Sequence, residues 1–164
     1  MHNKGLFFAI YTATSLIARI VAGKSSDKYG RIPVLISSSF TLVVAMVILS
    51  FSHSQWMLIT GSAIFGLSWG MNGPTITAWT VDLALPEMRG RAVASMYIAL
   101  EAGIGIGAYI CAEIYNNNTA NFVYAFITPA FLAAAAMILL LIWRKKKTSA
   151  LLVADEVVLE DELM

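Results

Sequence analysis

The sequence predicts an all-α membrane protein, a bundle of about five transmembrane helices, from two observations. Hydrophobic residues make up 59% of the 164 residues and charged residues only 13%, which is about half the charged share of a soluble domain. The apolar residues also fall into five runs, each about long enough to cross a hydrocarbon layer roughly 30 Å thick. Because so few polar residues could not cover a water-soluble globule, we expect the lipid bilayer to be the solvent.

The five apolar runs are separated by short links that contain charged residues, asparagine, glycine or proline. The predicted membrane helices are residues 5–22, 34–51, 56–81, 92–114 and 122–143. The Gly73-Pro74 pair predicts a kink or break in the third helix, because proline lacks the N–H that a helix interior needs. The bundle then occupies residues 1–147, and residues 148–164 form a soluble cytoplasmic tail that we expect to be poorly ordered at its end.

The positions of lysine and arginine predict the orientation of the helices. Basic residues follow the first, third and fifth predicted helices, at Lys24, Lys28, Arg31, Arg89, Arg91 and 144–147. The links after the second and fourth helices, 52–55 and 115–121, contain no lysine or arginine. Since basic links stay in the cytoplasm, the N-terminus is expected outside and the C-terminus inside the cell, with the bundle in the inner membrane.

One stretch between the first two helices, residues 23–31, is too polar to lie in hydrocarbon. It reads GKSSDKYGR, with three cations, one carboxylate and two glycines, and is predicted to be a tight polar loop. Its spacing of Gly23, Asp27, Gly30 and Arg31, with Lys28 inside it, resembles the signature loop of the major facilitator superfamily. Residues 86–92, PEMRGRA, also resemble the link between the fourth and fifth helices of a half in that superfamily.

The resemblance implies a fold and a function for the whole chain. It corresponds to the last five of twelve helices, an incomplete C-terminal half, and implies transport of a small solute by alternating access, in some members coupled to protons. The missing partner is then the N-terminal half or a second copy of the chain. In such transporters the signature aspartate, here Asp27, contacts the N-terminus of a helix in the other half. This contact stabilises one of the two access states. Asp82, an available partner for Arg31, and Arg89 are the gating candidates.

Four polar residues lie inside predicted membrane helices and are candidates for contact with protons or substrate. Glu101 is ten residues past Arg91, about 15 Å along a helix, near the bilayer midplane. A charge there is costly, so it is typical of an ion or substrate path; the alternative is a hydrogen-bonded structural carboxyl group. Tyr97 shares its helix face. Arg19 is predicted one turn from the cytoplasmic end, where it lines a cavity or reaches the interface. Asn72 contacts either substrate or a neighbouring helix.

Small residues recur every fourth position in the third and fourth predicted helices. Such stripes let a neighbouring helix approach closely, and we interpret both as packing surfaces. They are Ser62, Gly66, Gly70, Pro74 and Ala78 in the third helix and Ala99, Gly103, Gly107 and Cys111 in the fourth.

Other classes of function receive less support from the sequence. It has no paired acids, no nucleophile beside a base and no metal-ligand spacing, so neither an enzyme nor a metal or other cofactor is expected. The net charge of +1 gives no reason to expect a nucleic-acid partner. The alternative to transport is a membrane scaffold or modulator that binds a transporter through its helices.

Overall fold

The computed structural model describes the backbone of residues 4–52, 54–118 and 121–163, and the side chains of 5–52, 54–118 and 121–146. All regular structure in these ranges is helical. The helices are α1 (Lys4–Tyr29), α2 (Arg31–Ser50), α3 (Gln55–Leu83), α4 (Arg89–Tyr115) and α5 (Phe122–Leu163), with a single 3₁₀ turn at Pro86–Met88 before α4. The all-α fold predicted from the sequence is therefore confirmed.

Four of the five helices are long and apolar enough to cross a membrane by themselves. These segments are Gly5–Tyr29, Arg31–Ser50, Pro86–Tyr115 and Phe122–Lys146. Helix α3, 29 residues long, does not meet that standard because glycine, serine, threonine and asparagine interrupt its apolar residues. Its buried residues are small or polar, Gly61, Ser62, Gly66, Ser68, Gly70 and Thr75. They face other helices, so α3 needs less lipid-compatible surface than its neighbours.

Helix α3 packs between α1 and α2, and these are the most extensive helix contacts of the bundle. A Cβ atom added at Gly66 would clash with Thr14 and with the backbone of Tyr11, and one at Gly70 would clash with Ser15 and Ala18. Glycine is required at both positions because the two backbones nearly touch. The contacts advance in the same direction along both helices, so α1 and α3 run parallel.

Helix α2 runs antiparallel to α3 and also contacts α5. The buried Ser68 hydroxyl of α3 donates to the carbonyl oxygen of Ser38 in α2 at 2.8 Å. At the other end of α2, the Ser50 hydroxyl donates to the carbonyl oxygen of Val123 at 3.1 Å. Hydroxyl groups thus join three helices where lipid offers no hydrogen-bond partner.

The predicted polar loop at residues 23–31 is wrong in its extent. Helix α1 continues to Tyr29 and α2 begins at Arg31, so the link is Gly30 alone. Gly30 has φ of 89°, a value that L side chains rarely adopt. The polar residues before it remain helical because a helix satisfies its own backbone while Lys24, Asp27 and Lys28 stay exposed.

Two further expectations about helix ends are corrected. Helix α3 passes through Pro74 without a break, so the alternative of a break is wrong and that of a kink stays a prediction; proline removes one helical hydrogen bond, which the remaining bonds of a well-packed helix tolerate. Helix α5 continues past the membrane segment to Leu163, so the backbone of the predicted tail is helical as far as the structure describes it. Its sequence from Ser149 to Leu163 contains neither glycine nor proline to stop a helix.

Candidate functional site

Three helix ends meet at Arg31, the last residue of the signature stretch. Its Nε donates to Asp82 Oδ2 at 2.7 Å, and its Nη1 donates to Ser26 Oγ at 2.9 Å. The same Nη1 forms a short ion pair with Asp27 Oδ1. One guanidinium group therefore connects α1, α2 and α3, which only arginine can do because its donors form a rigid fork.

This cluster lies at the protein surface. The side chain of Arg31 is 23% exposed, that of Asp82 50% and that of Asp27 70%. Ion pairs with this exposure contribute about 1 kcal/mol or less to stability, because water and salt screen them. The cluster is therefore suited to fixing the relative positions of three helix ends rather than to stabilising the fold.

The remaining candidates near these helix ends do not join the cluster. Lys28 is exposed, with its Nζ 5.3 Å from the ring centroid of the adjacent Tyr29. Arg89, at the first position of α4, is exposed and has no ion-pair partner among the described residues. A Cβ atom added at Gly23 would meet nothing within 4 Å, so this glycine of the pattern is not required by packing within the chain.

Three of the polar candidates in the predicted membrane helices lie at similar distances from the ends of their helices and are called the polar layer here. Arg19 is ten residues before the end of α1, Asn72 is 11 before the end of α3, and Glu101 is 12 after the start of α4. At 1.5 Å per residue these separations are about 15, 17 and 18 Å. Helix α1 continues ten residues beyond Arg19, to Tyr29; the predicted position of Arg19, one turn inside the cytoplasmic membrane boundary, stays a prediction.

Neither charged residue of this layer has a partner within the described part of the chain. Arg19 and Glu101 are both exposed on the bundle, and neither makes a hydrogen bond or ion pair there. Asn72 is half-buried and Tyr97 is 49% exposed. The layer is open at the bundle surface, where a solute or another protein segment could reach it.

Helix α4, which carries Glu101, is packed more loosely than the other helices. None of its residues is buried, and its contacts with α3 and α5 are sparse. Added Cβ atoms at Gly103 and Gly107 would meet nothing within 4 Å, so the close approach expected of this stripe is not present. The Cys111 thiol alone donates across to α5, to the carbonyl oxygen of Ala125 at 3.6 Å.

An aromatic row runs beside the polar layer on α1 and α3. The ring centroids of Tyr11 and Phe65 are 5.4 Å apart, and those of Phe65 and Trp69 are 6.4 Å apart with nearly parallel planes. All three side chains are half-buried. This row was not predicted from the sequence, although Phe65, Trp69 and Asn72 share one face of α3 by their four- and three-residue spacing.

A separate apolar groove of about 450 Å³ lies between α2, α4 and α5, away from the polar layer. Met46, Cys111, Tyr115 and Phe126 are among its lining residues. It contains no charged residue, and the described residues also contain no group of histidine, cysteine or acidic side chains that could hold a metal ion.

Comparisons with known proteins agree on one protein family. Residues 2–157 match the sequence model of the Major Facilitator Superfamily. The chain is 30% identical over 107 residues to the class H tetracycline resistance protein of Pasteurella multocida, which covers 65% of this chain and 25% of the relative. It is 29% identical over 103 residues to a zebrafish (Danio rerio) protein named facilitated glucose transporter member 10, covering 63% and 20%.

A third relative is matched over more of the chain. Multidrug resistance protein 1 of Bacillus subtilis is 28% identical over 134 residues, which are 79% of this chain and 33% of the relative. The chain thus spans between a fifth and a third of the length of these relatives. They include proteins named for transport and for drug resistance, and the family is one of transporters rather than enzymes.

Proposed function

The chain belongs to the Major Facilitator Superfamily, and from this membership we propose that it forms one half of an alternating-access path for a small solute. The family match over residues 2–157 carries the proposal. Alternating access requires two halves that rock about a site near the bilayer midplane. A single copy offers one open polar face, so a second half, from an N-terminal segment or another copy, completes the path.

The solute is proposed to bind at the polar layer and its aromatic row. Arg19, Asn72 and Glu101 offer a cation, an amide and a carboxyl group at similar distances from their helix ends, and Phe65 and Trp69 offer ring faces. This mixture suits a compact molecule with polar groups and an apolar face. The names of the relatives suggest tetracycline, glucose and other drugs as the first solutes to examine.

Glu101 is proposed to couple solute movement to protons. It is the carboxylate of α4 nearest the midplane, and it is exposed without a partner among the described residues. The titratable or charged groups on the helices packed against α4 are Asp82 on α3 and, in the membrane segment of α5, Tyr124 and Arg144 to Lys146. We place the protein in the inner membrane with its C-terminus in the cytoplasm, as the basic links predict.

A transport assay at controlled copy number tests this function. The purified chain is reconstituted into liposomes at protein-to-lipid ratios that give averages from well below one copy to several copies per vesicle. Uptake of tetracycline, D-glucose and a cationic dye is measured with an imposed pH gradient. We expect accumulation above empty liposomes for one of these solutes, and only in vesicles with two or more copies.

The copy-number series also separates the alternatives. No accumulation of any of the three solutes at any ratio would contradict transport by copies of this chain alone, which leaves a second half from an N-terminal segment or the scaffold function. Accumulation in proportion to the number of single-copy vesicles would contradict the need for a second half. Collapse of the pH gradient with an uncoupler is the matched control for proton coupling.

A further inference from the structure

We infer that an anionic phospholipid binds where the membrane segment of α5 ends, with its phosphate group held by the indole N–H groups of Trp79 and Trp143 and by the ammonium group of Lys146. These three residues are called the indole site here. The inference adds a lipid partner that the proposed function does not contain, and its test requires no transport. All three residues belong to helices of this chain, so the site does not depend on a second half.

The contact between Trp79 and Trp143 is the first observation. Trp79 belongs to α3 and Trp143 to α5, and their ring centroids are 4.6 Å apart with planes inclined by 49°. The backbones of α3 and α5 do not approach each other closely among the described residues, so the two indoles bridge helices that are otherwise apart. The structure thus brings two indole groups, each with one N–H donor, to a single point.

The position of this pair along α5 is the second observation. From Phe122 to Trp143 the helix contains no charged residue, and this run is about 33 Å long at 1.5 Å per residue. Its length matches a hydrocarbon core roughly 30 Å thick, and Asn121 precedes it while Arg144 to Lys147 follow it. Trp143 is therefore at headgroup level, where tryptophan is enriched, and Trp79 in contact with it is at the same level.

Unused hydrogen-bond donors are the third observation. Neither indole N–H donates to another described residue, and Lys146 makes no ion pair or hydrogen bond there. Lys146 is exposed and follows Trp143 by three residues, a spacing that places both side chains on one face of α5. Two neutral donors and one cation are therefore available together at the level of the lipid headgroups.

Phosphate oxygen is the acceptor that suits these donors. A phosphodiester carries a negative charge for the ammonium group and has unesterified oxygens for the N–H groups. The acid of α3, Asp82, is three residues past Trp79 but already accepts from Arg31 at 2.7 Å, so it does not supply a partner for Lys146. Because a phospholipid holds its phosphate at headgroup level, the ligand is a membrane lipid rather than free phosphate.

The net charge of the lipid follows from Lys146. In a zwitterionic lipid the headgroup carries its own cation, which neutralises the phosphate and repels the lysine ammonium group. An anionic headgroup such as that of phosphatidylglycerol leaves the phosphate charge available. A basic residue close to the membrane surface favours anionic lipid by about fivefold. In the predicted orientation the indole site faces the cytoplasmic leaflet, which contains such lipids.

Quenching of tryptophan fluorescence by lipid measures occupancy of the indole site. The whole chain has four tryptophans, and a W56F/W69F variant retains Trp79 and Trp143 as the reporters. It is placed in phosphatidylcholine bilayers with increasing fractions of phosphatidylglycerol or phosphatidylcholine that carries a quencher near the headgroup. We expect phosphatidylglycerol to bind about fivefold more tightly. Equal quenching by the two lipids would overturn the inference.

Two adjacent lysines of α5 provide the matched comparison. Lys146→Gln should reduce the preference for phosphatidylglycerol to less than about twofold, because it removes the cation of the site. Lys145→Gln removes the same charge at nearly the same level but on the face opposite Trp143, so it should leave the preference unchanged. Equal losses in both variants, with the helical circular dichroism signal retained, would indicate diffuse attraction to a basic helix end and overturn the site.

Trp143→Phe tests the indole donor. Phenylalanine keeps a ring against Trp79 but has no N–H, so the preference that Trp79 then reports should fall by about threefold. An unchanged preference would overturn the assignment of the phosphate to the indoles. Inorganic phosphate added in excess to the W56F/W69F chain should leave the quenching unchanged. Displacement of the lipid by inorganic phosphate would overturn the assignment to a lipid.

Discussion

At the scale of single residues, Arg31 shows how a short motif acts across the bundle. Its guanidinium group contacts Ser26 and Asp27 on α1 and Asp82 on α3 while belonging to α2. The neighbouring Gly30 supplies the positive φ that lets α2 start directly after α1. The pattern G-x-x-x-D-x-x-G-R therefore encodes a turn and a three-helix contact at the same point.

We expect Asp82→Asn to change stability by less than about 1 kcal/mol, because the pair is half exposed. We also expect it to slow transport by roughly tenfold, since α3 would no longer be tied to α1 and α2 as they move. Thermal unfolding in detergent and initial uptake rates measure the two effects. Glu87→Gln, an exposed carboxylate on the adjacent link, is the control. A large loss of stability with normal uptake would assign Asp82 a purely structural role.

Glu101→Gln should abolish solute accumulation driven by a pH gradient while solute exchange persists and loses its pH dependence. Glutamine keeps the size and hydrogen-bonding capacity of the side chain but removes the titrating group. Uptake and counterflow in the same liposomes measure both properties, with Glu113→Gln as control. Parent-like behaviour in both assays would make Glu101 structural, and loss of solute binding would make it a direct substrate contact.

At the scale of helices, two stripes with the same four-residue spacing behave differently. Gly66 and Gly70 of α3 are pressed against the backbone of α1, whereas Gly103 and Gly107 of α4 have open space around them. The α3 stripe therefore sets the distance between two helices. The α4 stripe has no helix packed against it, and α4 has no buried residue. This stripe therefore stays exposed.

Gly66→Ala and Gly70→Ala should each destabilise the bundle by about 1–3 kcal/mol, since the added methyl group forces α1 away from α3. Gly73→Ala on the same helix is the matched control, because its Cβ would meet nothing within 4 Å. Thermal unfolding in one detergent measures all three variants. Equal stability of Gly66→Ala and Gly73→Ala would mean that α1 and α3 do not pack as described.

At the scale of the whole molecule, the contacts establish alternating helix directions. Helices α1 and α3 run parallel with α2 antiparallel between them in sequence, as successive membrane crossings require. Helix α3 is the helix of the five without a stretch apolar enough to cross a membrane by itself, and its small polar residues are enclosed by α1 and α2. The bundle therefore shields from lipid the helix that lipid would accept least.

The basic links predict an outside N-terminus and a cytoplasmic C-terminus. On a Cys111→Ala background, cysteines at Ser54 and Asn117 should react with a membrane-impermeant thiol reagent in intact cells, and one at Ser149 should not. Permeabilised cells, in which all three should react, are the control. The reverse labelling would contradict the orientation.

The number and approximate position of the helices followed from the sequence because hydropathy is a local property of each segment. The choice of Asp82 as a partner for Arg31 also followed from the sequence, since both residues lie at polar ends of predicted membrane helices. The helix ends were harder to predict from the sequence. Polar residues 24–29 cannot lie in hydrocarbon, but nothing local prevents them from continuing a helix beyond it.

The sequence by itself determined the solvent of this protein, its helical class and its family, because composition, run length and a short motif carry that information without knowledge of contacts. Only the tertiary structure decided which glycine stripe is closely packed, that α4 is left without buried residues, and that Arg19 and Glu101 have no partner in the described chain. The physical reason is that spacing fixes which residues share a helix face, whereas what that face meets depends on segments distant in sequence.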